Sequence, residues 1–189
     1  EEQLHESVDQ LKQYENIRFV LGKHRNEDFA NRDLVLVAAG VPAESPYLAV
    51  AKGAGVPLKQ SAALFAELAT IPVVGVTGTR GKSTVTAMIH HVLSFVTGEQ
   101  VLLGGNVRGV SNLQLLKDVK EDSLVVMELD SWQLQGWGWS EMSPQIAVFT
   151  NFMEDHLNYY KRDGMTKEEG MTAYFADKAN IFRYQEESG

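Results

Sequence analysis

Cysteine is absent from the 189-residue chain, which excludes disulfide bonds and thiolate chemistry. Basic residues are also scarce, because 17 lysines and arginines stand against 25 aspartates and glutamates, giving a formal charge of −8 at pH 7. This balance argues against non-specific nucleic-acid binding. No apolar run approaches the roughly 20 residues that a membrane-spanning helix needs. We therefore expect a cytoplasmic protein that binds neither nucleic acid nor membrane.

Short apolar runs alternate along the chain with segments that have helical periodicity. This alternation predicts an α/β fold, in which crossover helices connect the strands of a parallel sheet. A new strand and a glycine-containing loop begin after Ile71-Pro72. We therefore place a domain boundary there, with one domain at 1–70 and another at 71–189. The predicted strands cover residues 17–21, 33–40, 73–76, 101–103, 123–129 and 145–151, and a helix over 61–69 is expected to be capped by Ser61.

The most informative stretch of the sequence runs from Val73 to Thr84. It begins as a buried strand, breaks at Gly78 and Gly81, and continues from Lys82-Ser83 into a helix. This layout is typical of a phosphate-binding P-loop. Glycines let backbone N–H groups turn towards one anion, and the start of a helix adds a partial positive charge. Lys82 would reach the phosphates and Ser83 would offer its hydroxyl to Mg²⁺.

One position departs from the general P-loop pattern. Val76 stands where the first glycine is usual, and Gly78 lies inside the loop instead. The alternative is an ordinary strand–helix turn with an exposed lysine. The strand, the two glycines, the Lys-Ser-Thr run and the helix together favour the P-loop.

Three further polar positions follow predicted strands and are expected at the same sheet edge as the P-loop. Asn106 follows one strand, Glu128 ends the next, and the segment 151–156 follows the last. A carboxylate at the tip of a buried strand is costly unless it is paired or bound to metal. We therefore predict that Glu128 is a metal ligand, the alternative being an ordinary surface glutamate.

His156 and Lys178 are weaker candidates on the sequence alone. An imidazole suits a divalent ion or a phosphate oxygen, but a lone histidine is more often a surface residue. Lys178 lies in an amphipathic helix, where a solvated lysine is the simpler interpretation. Trp132, Trp137 and Trp139 form a cluster for which packing is favoured over stacking on a ligand.

These motifs together resemble the Mur ligase family, the ATP-dependent enzymes that form amide bonds in peptidoglycan precursors. Gly75–Thr84 is similar to that family's own P-loop, which lacks the first glycine, although Arg80 replaces the usual asparagine. Thr150-Asn151 followed by Asp155-His156-Leu157 resembles a second family motif. Glu128–Leu134 resembles a third, in the form found in the branch that adds D-glutamate, with Asp130 and Trp132 in place of the usual serine and phenylalanine.

The resemblance implies a role for each matching residue. Catalysis would rest on Lys82, Glu128, His156 and Lys178. Two Mg²⁺ ions would be held by Ser83, Glu128, His156 and Lys178, the last carried as a carbamate. ATP would bind through Gly78, Thr79, Arg80, Gly81, Lys82, Ser83 and Thr84, and the substrate through Gly40, Asn106, Ser131 and His156.

The resemblance also implies that the chain is part of a three-domain enzyme. Residues 1–70 look like the latter part of a Rossmann-like UDP-binding domain, and 71–189 like the first part of the central ATPase domain. The small-molecule substrates would be UDP-N-acetylmuramoyl-L-alanine and D-glutamate, and we expect a monomer. The chain begins at Glu1 without a start methionine or signal peptide. We therefore expect upstream sequence to be absent. The resemblance also implies that the C-terminal domain, which would hold the incoming amino acid, is missing, and for that reason we expect residues 1–189 alone to be a poor catalyst.

Two alternatives remain open at this stage. One is a sister ligase with the same P-loop, such as a folylpolyglutamate synthase type, which would act on a folate. The other is a regulatory module that binds Mg·ATP without ligase chemistry. The Gly104-Gly105-Asn106 and Glu128–Leu134 stretches favour the D-glutamate branch over the folate alternative.

Overall fold

The computed structural model describes residues 4–98 and 100–186. The chain forms two compact units, one comprising the residues up to 35 together with 42–57, and the other comprising 36–41 together with the chain from residue 58 onward.

The first unit is mainly helical. It contains α1 (His5–Leu11), a 3-10 turn (Asn26–Asp28) and α2 (Pro46–Gly53). Proline suits the first turn of α2 because the N–H that it lacks would have no partner there. The ring of Tyr47 stacks on Phe29 at 5.3 Å between centroids and meets His24 at 5.0 Å.

The strand predicted over residues 17–21 is absent from the structure, so that prediction was wrong. This apolar segment is irregular, and within the described residues none of its backbone groups joins a neighbouring strand. An apolar run becomes a strand only where another strand supplies hydrogen-bond partners.

A small sheet of two strands, of which all residues but Val35 belong to the second unit, precedes the main sheet. β1 (Val35–Val37) pairs with β2 (Leu58–Gln60), and α3 (Ser61–Ala69) follows at once. Gln60 is the N-cap of α3, so Ser61 is its first residue and not its cap as expected. The remaining elements are β3 (Val73–Thr77), α4 (Lys82–Val96), β4 (Val101–Gly105), a 3-10 turn (Gln114–Lys117), β5 (Leu124–Glu128), α5 (Ser131–Trp139), β6 (Ile146–Phe149), α6 (Leu157–Tyr160) and α7 (Lys167–Ala179).

The main sheet has the strand order β4-β5-β3-β6, and all of its neighbouring strands are parallel. This confirms the predicted α/β fold with a parallel sheet. The central strand β3 is buried along its whole length, which explains why its sequence is a continuous apolar run with no alternation. Because all four strands are parallel, their carboxyl ends lie at one edge of the sheet.

Alternate residues of β5 pack on opposite faces of the sheet. Val125 and Met127 belong to the core that also holds Phe65 of α3, whereas Val126 packs on the other face with Ile89 of α4. Phe65 is fully buried, and its burial contributes roughly 2–3 kcal/mol.

Helix α3 belongs to the same compact unit as the main sheet, although it precedes the boundary predicted from the sequence. The division into domains at 1–70 and 71–189 stays a prediction. Among the residues that the structure describes, no helix combines the length and apolar character needed to cross a membrane.

Candidate active site

The loop Gly78–Gly81, called the P-loop below, leaves the carboxyl end of β3 and leads into α4. Gly81 is the N-cap of α4 with a φ of +81°, and nothing lies within 4 Å of the place where its Cβ would be. Ser83 and Thr84, in the first turn of α4, are exposed. The first N–H groups of a helix have no acceptor within the helix itself. The geometry therefore provides an open, positively polarised surface for an anion.

Gly78 occupies a position that only glycine fits. Its φ is +142°, and a Cβ there would overlap the Thr150 hydroxyl oxygen. Thr150 follows β6, the strand beside β3. The tight approach of the two strand ends thus requires the glycine that the sequence places inside the loop.

The chain after β6 holds the P-loop in shape through several hydrogen bonds. The backbone N–H of Thr79 donates to the Asn151 carbonyl at 2.9 Å, and that of Arg80 donates to Asn151 Oδ1 at 2.9 Å. The Arg80 carbonyl accepts from Thr150 Oγ1 at 2.7 Å and from Asn151 Nδ2 at 3.1 Å. Met153 N donates to Thr79 Oγ1 at 2.9 Å. The motif around Thr150-Asn151 therefore shapes the P-loop directly.

Two lysine ammonium groups meet at one carbonyl of the P-loop. Lys82 Nζ donates to the carbonyls of Gly78 and Thr79 at 3.2 and 3.3 Å. Lys178 Nζ donates to the same Gly78 carbonyl at 2.8 Å and to Thr77 Oγ1 at 3.3 Å. Lys178 is 1% exposed, so it is not the solvated lysine of the simpler interpretation. Two neighbouring cations at a strand end favour an anionic ligand.

Burial and the neighbouring charge change the protonation of Lys178. Desolvation is the larger cause and Lys82 the next, and together they lower the pKa of Lys178 to about 8, although Asp130 and Asp155 act in the opposite direction. At pH 7 roughly a tenth of this side chain is therefore the uncharged amine, far more than for an ordinary lysine.

Glu128 ends β5 in register with Val76 of β3 and Gly105 of β4. It is 6% exposed, and within residues 4–98 and 100–186 its carboxylate has no hydrogen bond or ion pair, although its oxygens are not among the fully buried polar atoms that lack a partner. Its backbone carbonyl accepts from Asn106 N at 2.7 Å. A Cβ at Gly105 would overlap that carbonyl oxygen, so the close contact between β4 and β5 needs glycine there. A buried carboxylate without a protein partner is a ready ligand for a cation.

His156 lies beyond β6 as the N-cap of α6, in the left-handed conformation with a φ of +53°. Its Nε2 is 3.9 Å from Asp155 Oδ2, which in turn is 3.6 Å from Arg80 Nη2 of the P-loop. Its ring centroid is 4.9 Å from that of Trp132. The segment 151–156 therefore reaches the P-loop edge, as predicted.

Asp130, which stands in place of the family's usual serine, caps α5. Its Oδ1 accepts from Gln133 N at 2.7 Å, and Gln133 Oε1 accepts from Asp130 N at 3.4 Å, which completes a capping box. Burial raises the pKa of Asp130, opposed by the Gln133 N–H and by the charges of Lys178 and Lys82. The Asp-x-x-Gln spacing was the sequence signal for this cap.

The other predicted substrate residues lie in different settings. Asn106 is exposed at the P-loop edge, whereas Ser131 is 1% exposed as the first residue of α5. Gly40 follows β1, is exposed and has a φ of +86°. No hydrogen bond within the described chain joins Gly40 to the P-loop. The structure thus brings Asn106 and His156 to this edge of the sheet and does not bring Gly40 into contact with it.

Two positioning side chains were missed by the sequence analysis. Thr77 Oγ1 donates to the Leu129 carbonyl at 2.6 Å and so ties the end of β3 to the chain just after Glu128. Asn112 Oδ1 accepts from Gly105 N at 2.7 Å. Asn112 lies in no recognisable motif, and only the fold reveals its role.

Among the described residues, no group of three or more histidines, cysteines, aspartates or glutamates gathers as a metal site. A cation at this edge would therefore take only one or two ligands of these types from the chain. That arrangement is typical of Mg²⁺ bound together with substrate phosphates and water.

The family profile described as the Mur ligase middle domain matches residues 76–189. This is more than half of the chain, and the chain belongs to the Mur ligase family.

Curated relatives extend the similarity over most of the chain. The UDP-N-acetylmuramoylalanine–D-glutamate ligase of Roseiflexus sp. (strain RS-1) is 38% identical over 169 residues, which are 89% of this chain and 34% of the relative. The enzyme of the same name from Geobacter metallireducens is 37% identical over 172 residues, 90% of this chain and 35% of the relative. The enzyme of the same name from Clostridioides difficile is 32% identical over 186 residues, which are 98% of this chain and 38% of the relative. The chain thus spans about a third of the length of these relatives.

Two solved structures are similar at lower identity. The MurF ligase of Thermotoga maritima in complex with ADP has a TM-score of 0.47 and 20% identity, with 91% of this chain and 44% of that chain covered. The pseudomurein peptide ligase type C of Methanothermus fervidus has a TM-score of 0.43 and 20% identity, with coverage of 96% and 35%.

Proposed function

We propose that this chain is part of an ATP-dependent ligase that adds D-glutamate to UDP-N-acetylmuramoyl-L-alanine in peptidoglycan precursor synthesis. The observation that carries the proposal is that Lys82 and Lys178 both donate to the Gly78 carbonyl, at the carboxyl edge of the parallel sheet where β5 ends at Glu128. Relatives that bear the name of this activity are 32–38% identical over most of the chain, which supports the D-glutamate branch.

The P-loop fits the phosphates of ATP. Open space faces Gly81 and the exposed start of α4, and Lys82 lies along the loop with its ammonium group on two loop carbonyls. When ATP binds, a phosphate oxygen would take the place of these carbonyls, and the Lys82 ammonium group would form a charge-assisted hydrogen bond with it. We assign Gly78, Thr79, Arg80, Gly81, Lys82, Ser83 and Thr84 to nucleotide binding.

The orphan carboxylate of Glu128 fits a divalent cation. Ser83 and Glu128 would hold one Mg²⁺, and His156 with a carbamylated Lys178 would hold a second. When bound, such ions draw negative charge from phosphoryl and carboxylate oxygens, and so lower the repulsion between two anions that must meet. The buried Lys178 amine suits carbamylation because its lowered pKa leaves part of it neutral and able to attack CO₂.

The chemistry would pass through an acyl phosphate. A carboxylate oxygen of UDP-N-acetylmuramoyl-L-alanine attacks the γ-phosphorus of ATP, and the bond to the bridging oxygen breaks to leave ADP. The amine of D-glutamate then attacks the acyl carbon, loses a proton, and phosphate departs. Lys82 would neutralise charge on the transferred phosphoryl group. The N–H groups of Thr79 and Arg80 donate to Asn151, so these contacts would fix the shape of the loop and leave the N–H groups at the start of α4 to face the phosphate.

The substrate would approach from the side of the sheet edge where Asn106 and His156 reach solvent. Asn106 directly follows β4 and His156 lies in the connection after β6, so both residues lie at the edge of the sheet that carries the P-loop. Gly40 and Ser131 remain proposed substrate contacts on the strength of the family motifs. Cytoplasmic location and a monomeric state belong to the same proposal.

Phosphate release tests the proposed function. The protein with whatever natural sequence flanks residues 1–189 is assayed with Mg·ATP and UDP-N-acetylmuramoyl-L-alanine, with and without D-glutamate. We expect release that requires both substrates and that Lys82→Ala abolishes, whereas Lys117→Ala, at an exposed position, retains it. Tight Mg·ATP binding without stimulated release would contradict the proposal and favour a non-catalytic module. Stimulation by a folate acceptor instead would favour the sister ligase.

A further inference from the structure

The His156 imidazole has no hydrogen bond within the described parts of the chain. Asp155 Oδ2 lies 3.9 Å from Nε2, which is beyond hydrogen-bond range. The only hydrogen bond of this residue to the Asp155 side chain uses its backbone N–H, which donates to Oδ1 at 2.9 Å. The orientation of the ring must therefore come from packing.

Two aromatic rings supply that packing. The Trp132 ring lies 4.9 Å from the His156 ring at an interplanar angle of 54°, and the Tyr174 ring lies 5.7 Å away at 74°. Each is supported in turn, because Trp132 meets Tyr159 edge-on at 5.6 Å and Tyr174 lies 5.1 Å from Tyr160. Tilted and edge-to-face pairs at these separations are the favoured geometries of aromatic contacts.

Trp132 is itself fixed to the strand end that carries Glu128. It is the second residue of α5, and the Asp130–Gln133 capping box holds that first helical turn. The Thr77 hydroxyl donates to the carbonyl of Leu129, the residue just before Asp130. The tryptophan ring therefore extends from a rigid point next to Glu128 to the histidine on a different connection of the sheet.

We propose that Trp132 is a positioning residue, whose ring sets the place and tilt of the His156 imidazole relative to Glu128 and the P-loop. The positioning of the His156 ring by Trp132 does not depend on the proposed function, whereas any effect of Trp132 on catalysis rests on it. A histidine that must meet a phosphate oxygen or a cation gains from a fixed ring, since the groups that orient such side chains commonly change activity by about 10- to 100-fold.

Histidine NMR tests the structural part directly. The protein is labelled with ¹³C-histidine and held at one pH. The His156 ring signal is the one that disappears in the His156→Gln variant. We expect Trp132→Leu to move this signal, because the ring current of the indole is lost. Trp132→Phe, which keeps a ring, should move it less. Tyr47→Leu is the matched control, since Tyr47 contacts His24, and it should move the His24 signal alone.

An unmoved His156 signal in folded Trp132→Leu would overturn the proposal, whether or not the protein is a ligase. If Trp132→Leu does not fold, Trp132→Met takes its place because methionine also lacks a ring, and an unmoved His156 signal in that variant has the same meaning.

Kinetics test the catalytic consequence. We expect Trp132→Leu to lower kcat about 10-fold with little change in the KM for ATP, and Trp132→Phe to restore most of the loss. In the His156→Gln background the tryptophan substitution should have little further effect, because coupled residues are not additive. Losses that simply multiply would refute the link through His156. A wild-type protein without ligase activity would refute the proposed function and leave the NMR result to decide the positioning role.

Discussion

Replacing Lys178 by methionine tests how a buried ammonium group affects the stability of this protein. The pKa of Lys178 is lowered from 10.5 to about 8, mainly by burial and then by Lys82. A shift of one pKa unit corresponds to about 1.4 kcal/mol, so keeping this side chain protonated costs roughly 3 kcal/mol in the folded state. Methionine has a similar length and carries no charge, so the substitution removes this cost.

The sign of the pH dependence follows from proton binding. Between pH 8 and 10.5 the unfolded chain holds a proton on Lys178 that the folded protein has released. The free energy of unfolding should therefore rise with pH in this window, whereas below pH 8 the full cost is present. Between pH 8 and 9.5 the increase should be about 1.6 kcal/mol, and Lys178→Met should lack it.

Urea denaturation in CO₂-free buffer at pH 7, 8 and 9.5 measures the effect as the difference between wild type and Lys178→Met. Taking the difference cancels the titration of other groups. Lys117→Met, at an exposed position, is the control and should track the wild type at each pH. A difference between wild type and Lys178→Met that stays constant from pH 7 to 9.5 would refute the reasoning.

Three further substitutions test the geometry. Gly78→Ala should destabilise the fold by about 1–3 kcal/mol and weaken ATP binding, because of its φ and the Thr150 hydroxyl, as measured by urea denaturation and calorimetry; unchanged values would contradict the close approach. Asp130→Ala should cost about 1 kcal/mol and Asp130→Ser much less in thermal unfolding, since serine also caps helices; equal losses would argue against the cap. Phe65→Ala should cost about 3–5 kcal/mol by the same method, and a loss below 1 kcal/mol would mean that the core rearranges.

The parallel sheet and the P-loop were predictable because their signals are local in sequence. An apolar strand, Gly78, Gly81 and Lys82 lie within a dozen residues, and the physics of anion binding needs little more. Glu128 could be placed because a carboxylate after a buried run points to a strand end, and its position in β5 confirms that placement. Its role as a metal ligand stays a prediction.

The rest of the site depends on contacts between distant parts of the chain. Lys178 bonds a carbonyl 100 residues earlier, so no pattern around it could reveal its burial, and only the family resemblance singled it out. The aromatic contact between Trp132 and His156 likewise joins two separate connections of the sheet. The prediction of a strand at 17–21 failed for the same reason, because strand formation depends on a partner strand that the local sequence does not specify.

The hydrogen bonds between the P-loop and Thr150–Met153 have a consequence for the order of events during synthesis. The loop is translated some 70 residues before the side chains and carbonyl that hold it, and about 100 residues before Lys178. A nascent chain that has emerged only as far as α4 therefore has the glycines and the lysine but lacks the contacts that fix them. Affinity for nucleotide should appear on the ribosome only after β6 and then α7 have emerged and docked.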